Sequence, residues 1–298
     1  MKCLYVYNPN SGKQNNHKIE QYVVNKLKTK FEIVDVKPTQ KRGDAGVYAQ
    51  NACGIYDVLV ISGGDGTVNE VVNSIANMDK KPTIGYIPTG TTNDLAHSLK
   101  IPKNVKKALN IILNGKEITH DIFKVNDRYG IYVCAFGIFT GSSYTSSQKS
   151  KRKFGRLAYF KDGFKELFSA KNFNLTLNFD DITISSNYAL GIIANSRYVA
   201  GYKINKMACC NDGCVNVILI KNKKKKGISF LSLLRIFKLF LFGMNSLKNS
   251  KYCQIFKLNK FNITLPENTI VNLDGERGFN GSFSFEVLKQ HIKILVKG

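Results

Sequence analysis

The chain is short of acid. Against 44 lysines and arginines it carries only 21 aspartates and glutamates, a formal net charge of +23 over 298 residues. Unless the excess serves solubility alone, it implies a polyanion nearby, either nucleic acid or the anionic face of a membrane. Motifs for nucleic acid are missing: there is no helix-turn-helix signature, no zinc finger and no RNP-type aromatic pattern. Cysteine lacks a framework. Seven residues, an odd number without regular spacing, argue against a disulfide scaffold and suit reduced thiols in a cytosolic setting. Cys209, Cys210 and Cys214 cluster, but no second CxxC or histidine pair completes a zinc site, and the four histidines are scattered. Nothing near Met1 reads as a signal peptide. No apolar run reaches the roughly 20 residues of a membrane span. The GxxxxGK[ST] phosphate loop is absent too.

What is present is a globular composition, 43% hydrophobic, with a length that fits two domains of ordinary size. Three strand–loop–helix units open the chain. Leu4–Tyr7 is a short apolar strand, followed by Asn8-Pro9-Asn10-Ser11-Gly12-Lys13 and then Ile19, Tyr22, Val23 and Leu27 at helical spacing. Asp57–Ile61 runs into Ser62-Gly63-Gly64-Asp65-Gly66-Thr67-Val68-Asn69-Glu70, with Val71, Val72, Ile75 and Ala76 beyond. Thr83–Ile87 runs into Pro88-Thr89-Gly90-Thr91-Thr92-Asn93-Asp94. Each loop follows a parallel-type strand at its carboxyl end, where open α/β sheets bind ligands. Glycine lets a ligand approach the backbone, and a helix start offers unpaired N–H donors, so these are phosphate sites. Asp65 stands inside the central turn, so a phosphate there comes with a cation or a protonated partner.

After a helix that stops at Asn114-Gly115 the pattern changes. Ile118–Val125 and Ile131–Phe136 are expected to pair as a hairpin across Asn126-Asp127-Arg128, and a helix is expected from Leu157 to about Ser169. Strand signals then repeat: Asn174–Phe179, Asp181–Ser185, Ala189–Ala194, Cys214–Ile220 and several more up to Val296. The expected fold is an α/β domain with an open parallel-type sheet over residues 1–120, followed by a β-rich, sandwich-like domain over 121–281. Between two of the late strands lies a cluster, Lys221 and Lys223–Lys226, leading into an apolar run from Ile228 to Phe242. Ser232, Arg235 and Lys238 draw a narrow polar stripe along that run. It suits either an interfacial helix at a membrane or a packed helix beside a solvated lysine loop.

The three loops together, Asn8-Pro9…Ser11-Gly12, Gly63-Gly64-Asp65-Gly66-Thr67…Asn69-Glu70 and Gly90-Thr91-Thr92-Asn93-Asp94, resemble the signatures of the diacylglycerol kinase catalytic family. That family includes bacterial lipid kinases and the sphingosine and ceramide kinases. The central GGDGT element alone is shared with NAD kinases, so the sheet is expected to be NAD kinase/diacylglycerol kinase-like. Leu273-Asp274-Gly275-Glu276 matches the family's last motif, which extends the resemblance over nearly the whole chain. It implies transfer of the γ-phosphoryl group of ATP, with Mg2+, to a lipid hydroxyl at an anionic membrane surface, most directly diacylglycerol to phosphatidic acid. It also implies a cytoplasmic enzyme peripherally associated with the membrane. A homodimer is open. A soluble acceptor such as NAD is the alternative reaction, and a non-enzymatic basic protein that binds membranes or nucleic acid is the alternative class.

The resemblance also implies roles for residues. Asn8, Pro9, Asn10, Ser11, Gly12 and Lys13, with Thr39 after the second strand, would contact the nucleotide. So would Gly63, Gly64, Asp65, Gly66, Thr67, Asn69, Glu70, Thr91 and Asp94. Asp65 and Asp94 would hold the metal, although Asp94 also reads as a helix cap. Asp212, with the backbone oxygens of Cys209 and Cys214, would hold a structural magnesium; otherwise it is an ordinary Asn-Asp-Gly turn. Glu276 is the expected base and Asp274 its partner, though their spacing does not separate the two roles, and alone the motif is an acidic β-turn. Asp121 would join a charge network with Lys18 and Lys161. Residues 282–298 would return to the first domain.

Overall fold

The computed structural model of the chain describes residues 1–9, 16–137, 172–224 and 227–298. They divide into two units, residues 1–122 with 289–298, and residues 123–288.

The first unit alternates strand and helix: β1 (Lys2–Tyr7), α1 (Asn16–Leu27), β2 (Ile33–Pro38), α2 (Asp44–Ala52), β3 (Val58–Gly63), α3 (Asp65–Ile75), β4 (Thr83–Pro88), α4 (Asp94–Ser98) and α5 (Val105–Asn114). The strands are parallel in the order β2-β1-β3-β4. β3 and β4 are buried from end to end, as unbroken apolar runs in a sheet covered on both faces require. α3 turns Val68, Val71, Val72 and Ile75 inward at helical spacing. The chain steps from β1 outward to β2, then returns across β1 to β3. The order therefore reverses between β1 and β3, and a crevice is expected at their carboxyl ends. The chain's last residues belong here too, with Ile294 paired in parallel to Ile84 of β4.

β5 (Lys116–Val125) leads into the second unit, which comprises β6 (Arg128–Gly130), β7 (Val133–Gly137), β8 (Phe173–Phe179), β9 (Ile182–Ala194), β10 (Val215–Lys221), α6 (Phe230–Phe242), β11 (Cys253–Leu258), β12 (Lys260–Thr264), β13 (Ile270–Leu273), β14 (Glu276–Asn280) and most of β15 (Phe283–Val296). The pairs β5–β6, β7–β9, β7–β13, β8–β9, β8–β12, β9–β10, β10–β11, β12–β15 and β13–β14 are antiparallel. The hairpin expected between 118–125 and 131–136 does not form. β5 pairs instead with the short β6, and β7 lies between β9 and β13. The cause is a grip on residues 131–133. The Asp274 carboxylate accepts their three N–H groups, and Asn195 Nδ2 donates to Ile131 O at 3.0 Å. The two strands expected at 181–185 and 189–194 are one. The first half of β9 pairs with β8, the second with β7 and β10. The strands of this unit share one apolar core, in which Phe285 stacks on Phe123 at 4.9 Å and on Phe261 at 4.7 Å. The helix expected over 157–169 lies outside the described residues. No helix among those described is long and apolar enough to cross a membrane.

His120 in β5 is wholly buried, its Nδ1 2.5 Å from the Asp121 carbonyl, so that nitrogen carries the proton of a neutral ring. Burial pushes its pKa down from 6.5 to about 4. The unfolded chain binds this proton near pH 6.5 and the folded chain does not. Stability is therefore intact above that pH and falls as pH drops from about 6.5 towards 4, by on the order of 3 kcal/mol. Urea denaturation across pH 7 to 4 should show this slope, and His120→Gln should flatten it.

Candidate active site

At the carboxyl ends of the parallel strands, backbone pairing continues into the loops. Asn8 N–H donates to Ser62 O at 3.1 Å, Thr39 N–H to Tyr7 O at 2.9 Å, and Thr89 N–H to Gly63 O at 2.9 Å. Asn8, Pro9, Thr39 and the Gly63–Thr67 turn are thereby set along one edge of the sheet. Asn10, Ser11, Gly12 and Lys13 lie outside the described residues, as does Lys161.

The Gly63–Thr67 and Gly90–Asp94 loops touch through bare backbone. A Cβ on Gly90 would stand 2.6 Å from Gly64 Cα and 2.7 Å from Asn93 Oδ1, so no other residue fits there without a shift. No side chain caps α3, which leaves its positive end open to an anion. Gly66 and Thr67 lie in its first turn. Asn69 and Glu70 follow on the same helix, where Asn69 is tied to Asn73 Nδ2.

Asp65 joins the two loops. Its carboxylate accepts from the backbone N–H groups of Asp94, Leu95 and Asn93, the start of α4. Burial raises its pKa from the ordinary aspartate value, opposed by those three N–H groups and by Lys103. One oxygen, Oδ1, is enclosed with no hydrogen-bond partner. Asp94 is almost wholly buried at the first position of α4. The charges of Asp65 and Asp94 both act on the Tyr86 hydroxyl, whose pKa burial, and then these two acids, push well up. The structure thus gathers the two acids around one phenol. Two carboxylates, one with an enclosed oxygen that lacks a hydrogen-bond partner, are a donor set of the kind a hard divalent cation takes.

Two residues outside the sequence-based candidate set build this site. Asn93 is fully buried with φ 54°. Its Oδ1 accepts from Gly90 N–H at 3.0 Å and Tyr86 O–H at 3.2 Å, and its Nδ2 donates to Gly90 O at 2.7 Å. Tyr86, from β4, reaches back to this loop. An asparagine before a helix start is a signal for a left-handed backbone position, but Tyr86 reads only as a core strand residue. Thr91 is exposed, and Lys103 Nζ donates to its carbonyl at 2.8 Å.

The remaining acids hold backbone. Asp121 is fully buried, and its Oδ1 accepts from Gln290 N–H at 2.6 Å, while Lys18 is exposed. Asp274 and Gly275 form a two-residue turn with φ 49° and 84° between paired Leu273 and Glu276, the geometry of a type I′ hairpin. Asp274 Oδ2 accepts from Ile131 N–H at 2.8 Å, and Oδ1 from Tyr132 at 3.0 Å and Val133 at 2.9 Å. The hairpin turn therefore separates Asp274, a buried anchor, from half-buried Glu276 at the head of β14. At Asp212, Lys257 Nζ stands 2.8 Å from Oδ2, and Cys214 N–H donates to Oδ1 at 3.1 Å. The Cys209 thiol donates to Asn211 Oδ1 at 3.1 Å. In this arrangement a lysine ammonium meets the Asp212 charge that the expected structural magnesium would take. No group of three histidine, cysteine or acidic residues placed to hold a metal occurs among the described residues.

A family model for the diacylglycerol kinase catalytic domain matches residues 2–125. The chain is 34% identical to a diacylglycerol kinase of Staphylococcus carnosus, over 98% of this chain and 94% of that protein. It is 30% identical to one of Bacillus subtilis, over 99% and 96%. Its fold resembles a solved diacylglycerol kinase structure from Bacillus anthracis at a TM-score of 0.83 and 23% identity, covering 99% of this chain and 97% of that one.

Gly90→Ala should fold, with nucleotide affinity lower by at least about tenfold, since the added methyl group drives the two loops apart. Calorimetric titration with a non-hydrolysable ATP analogue checks this, and wild-type affinity would show that the loop contact is dispensable. Asp274→Ala strands three buried N–H donors and should cost at least about 3 kcal/mol in urea denaturation. A loss under about 1 kcal/mol would reject the anchor role.

Proposed function

The chain belongs to the diacylglycerol kinase catalytic domain family and is a lipid kinase, and we propose that it moves the γ-phosphoryl group of ATP to the free hydroxyl of diacylglycerol, releasing ADP and phosphatidic acid. One observation supports this above the others: the backbone contact of Gly64 with Gly90 beside the open end of α3. That combination leaves no side chain between a polyphosphate and the donors that can hold it.

The residues divide the work. N–H groups at the start of α3 take phosphate oxygens. Asp65 and Asp94 would hold Mg2+, which supplies charge neutralisation on the β- and γ-phosphates when bound. Glu276 accepts the hydroxyl proton as the new O–P bond forms and the bond to ADP breaks. Such a base is worth typically 10²–10⁴-fold. Asp274 keeps the Glu276 hairpin in place, and Asp121 does the same for the last strand of the first unit. Glu276 is favoured over Asp274 as base because Asp274 already spends both oxygens on backbone donors.

The decisive experiment combines purified protein, Mg·ATP and a panel of diacylglycerol, sphingosine, ceramide and NAD, with identification of the phosphorylated product. Phosphatidic acid is the expected product, and phosphorylation of NAD alone would overturn the reading. In the same assay Glu276→Gln should lower kcat by about 10² or more with little change in KM for ATP. Near-wild-type turnover in that folded variant would move the base elsewhere.

A further inference from the structure

From Gly213 to Pro266 the chain carries eleven lysines and arginines and no aspartate or glutamate. The second unit orders part of this stretch. The Lys224 carbonyl accepts from three asparagine side chains, Asn172 at 2.8 Å, Asn222 at 3.0 Å and Asn187 at 3.2 Å. Asn222 Oδ1 accepts from Ser229 N–H at 2.8 Å. The lysine loop is therefore bonded down onto the start of α6. Lys225 and Lys226 lie outside the described residues.

The same bonds set the rotation of α6. Ser229 Oγ caps the helix by accepting from Ser232 N–H, and Ser232 Oγ donates to Lys221 O at 2.9 Å. With Ser232 drawn inward, Ile236 and Leu239 are buried. The polar stripe of Ser232, Arg235 and Lys238 is thereby broken up, since Ser232 is buried, Arg235 half-buried and Lys238 exposed. The outward face is apolar: Phe230, Leu231, Leu234, Phe237, Leu241 and Phe242 are each 47–69% exposed. Six large apolar side chains on one helix face, bordered by cations, are costly in water and need a covering surface.

Beside α6 stands a cluster of like charges. Around the Tyr252 ring are the Arg235 guanidinium at 4.3 Å from the centroid, Lys223 Nζ at 4.4 Å and Lys251 Nζ at 5.4 Å. The three come from the helix, the bonded loop and the approach to β11. Among the described residues no carboxylate pairs with any of them. A ring face attracts a cation by only about 0.5–1 kcal/mol at an exposed site, and the Tyr252 hydroxyl, which hydrogen-bonds with Lys223 and Lys251, is a neutral partner that leaves three positive charges on one ring unbalanced. An anion between them would balance them.

We propose that Lys223, Arg235 and Lys251 around Tyr252 bind the phosphate of an anionic phospholipid headgroup, while the outward face of α6 beside them enters the bilayer interface. The occupant is a membrane rather than a second copy of this chain, because two surfaces without acid repel each other. α6 spans 13 residues, too short to cross and suited to lie in the interface plane. This rests on the lipid kinase reading in one respect: diacylglycerol stays in the bilayer, so the enzyme must reach it there.

The test is co-sedimentation of the full chain with phosphatidylcholine vesicles, with and without phosphatidylglycerol, at low salt and without nucleotide. Binding is expected only with phosphatidylglycerol. The triple variant Lys223→Gln/Arg235→Gln/Lys251→Gln should weaken it at least about tenfold, while Lys28→Gln/Lys80→Gln/Lys116→Gln, of equal charge change elsewhere, should change it less than about twofold. Equal loss in both variants would overturn the site in favour of net charge alone. Phe237→Ser/Leu241→Ser should also weaken binding, and wild-type binding there would overturn insertion of α6. Release of the wild type by inorganic phosphate, but not by chloride at equal ionic strength, would make free phosphate the occupant and overturn the lipid assignment. Circular dichroism melts confirm that each variant folds. Turnover of short-chain diacylglycerol in detergent should be unchanged in the triple variant. If the wild type shows that turnover but no vesicle binding, the docking proposal falls and the kinase reading stands.

Discussion

The approach of two glycine backbones, Gly64 and Gly90, is the constraint on which the first unit's site depends. A parallel sheet brings its βα loops to one edge, but it does not by itself bring two of them into contact. That contact requires the absence of Cβ on Gly90, where it would stand 2.6 Å from Gly64 Cα, and leaves only a tight 3.2 Å for one on Gly64. Asp65 then bonds across the contact to the start of α4, and Asn93 braces the loop from within. The result is a fixed pair of loops with an uncapped helix end beside them. The order β2-β1-β3-β4 puts this pair beside the strand reversal, so chain topology and loop chemistry select the same edge.

Acids do more structural work here than their number suggests. With so few carboxylates, several are committed to buried backbone N–H groups: Asp65 to α4, Asp121 to Gln290, Asp274 to residues 131–133. A charged acceptor in a buried setting makes stronger hydrogen bonds than a neutral one, and each removes an orphan donor that would otherwise be costly. The Asp274 grip also explains the strand order of the second unit, because it diverts the chain out of a hairpin that local pattern favours. Glu276, the proposed base, is by contrast half-buried.

The uneven charge has a structural counterpart. The acid-free stretch is laid over the second unit as a bonded loop, an outward apolar helix and a ring of cations on Tyr252. Hydropathy alone left open whether α6 is packed or interfacial. The serine pair Ser229–Ser232 settles which face turns in, and the face left outside is the more apolar one.

Much was legible in the chain as a string of residues. Strand–loop–helix units, the glycine turns, the family resemblance and the two-part fold class all follow from local pattern, because strand runs, helix periodicity and glycine turns depend on residues within a few positions of each other. The loops were legible for the same reason, as each is a contiguous motif. Partners of the acids were not. Asp274 meets residues 141 to 143 positions away, and Asp121 meets a backbone group 169 positions away. No local pattern encodes such a pairing, and a carboxylate that will hold a distant backbone looks in sequence like one that will hold a metal or take a proton. Tyr86 and Lys257 were hidden likewise, one as a core residue and one as a surface lysine. The sequence by itself determined which segments become strands, helices and phosphate loops. The tertiary structure alone decided which donor each acid meets and which face of α6 is left uncovered, because both depend on groups brought together only by folding.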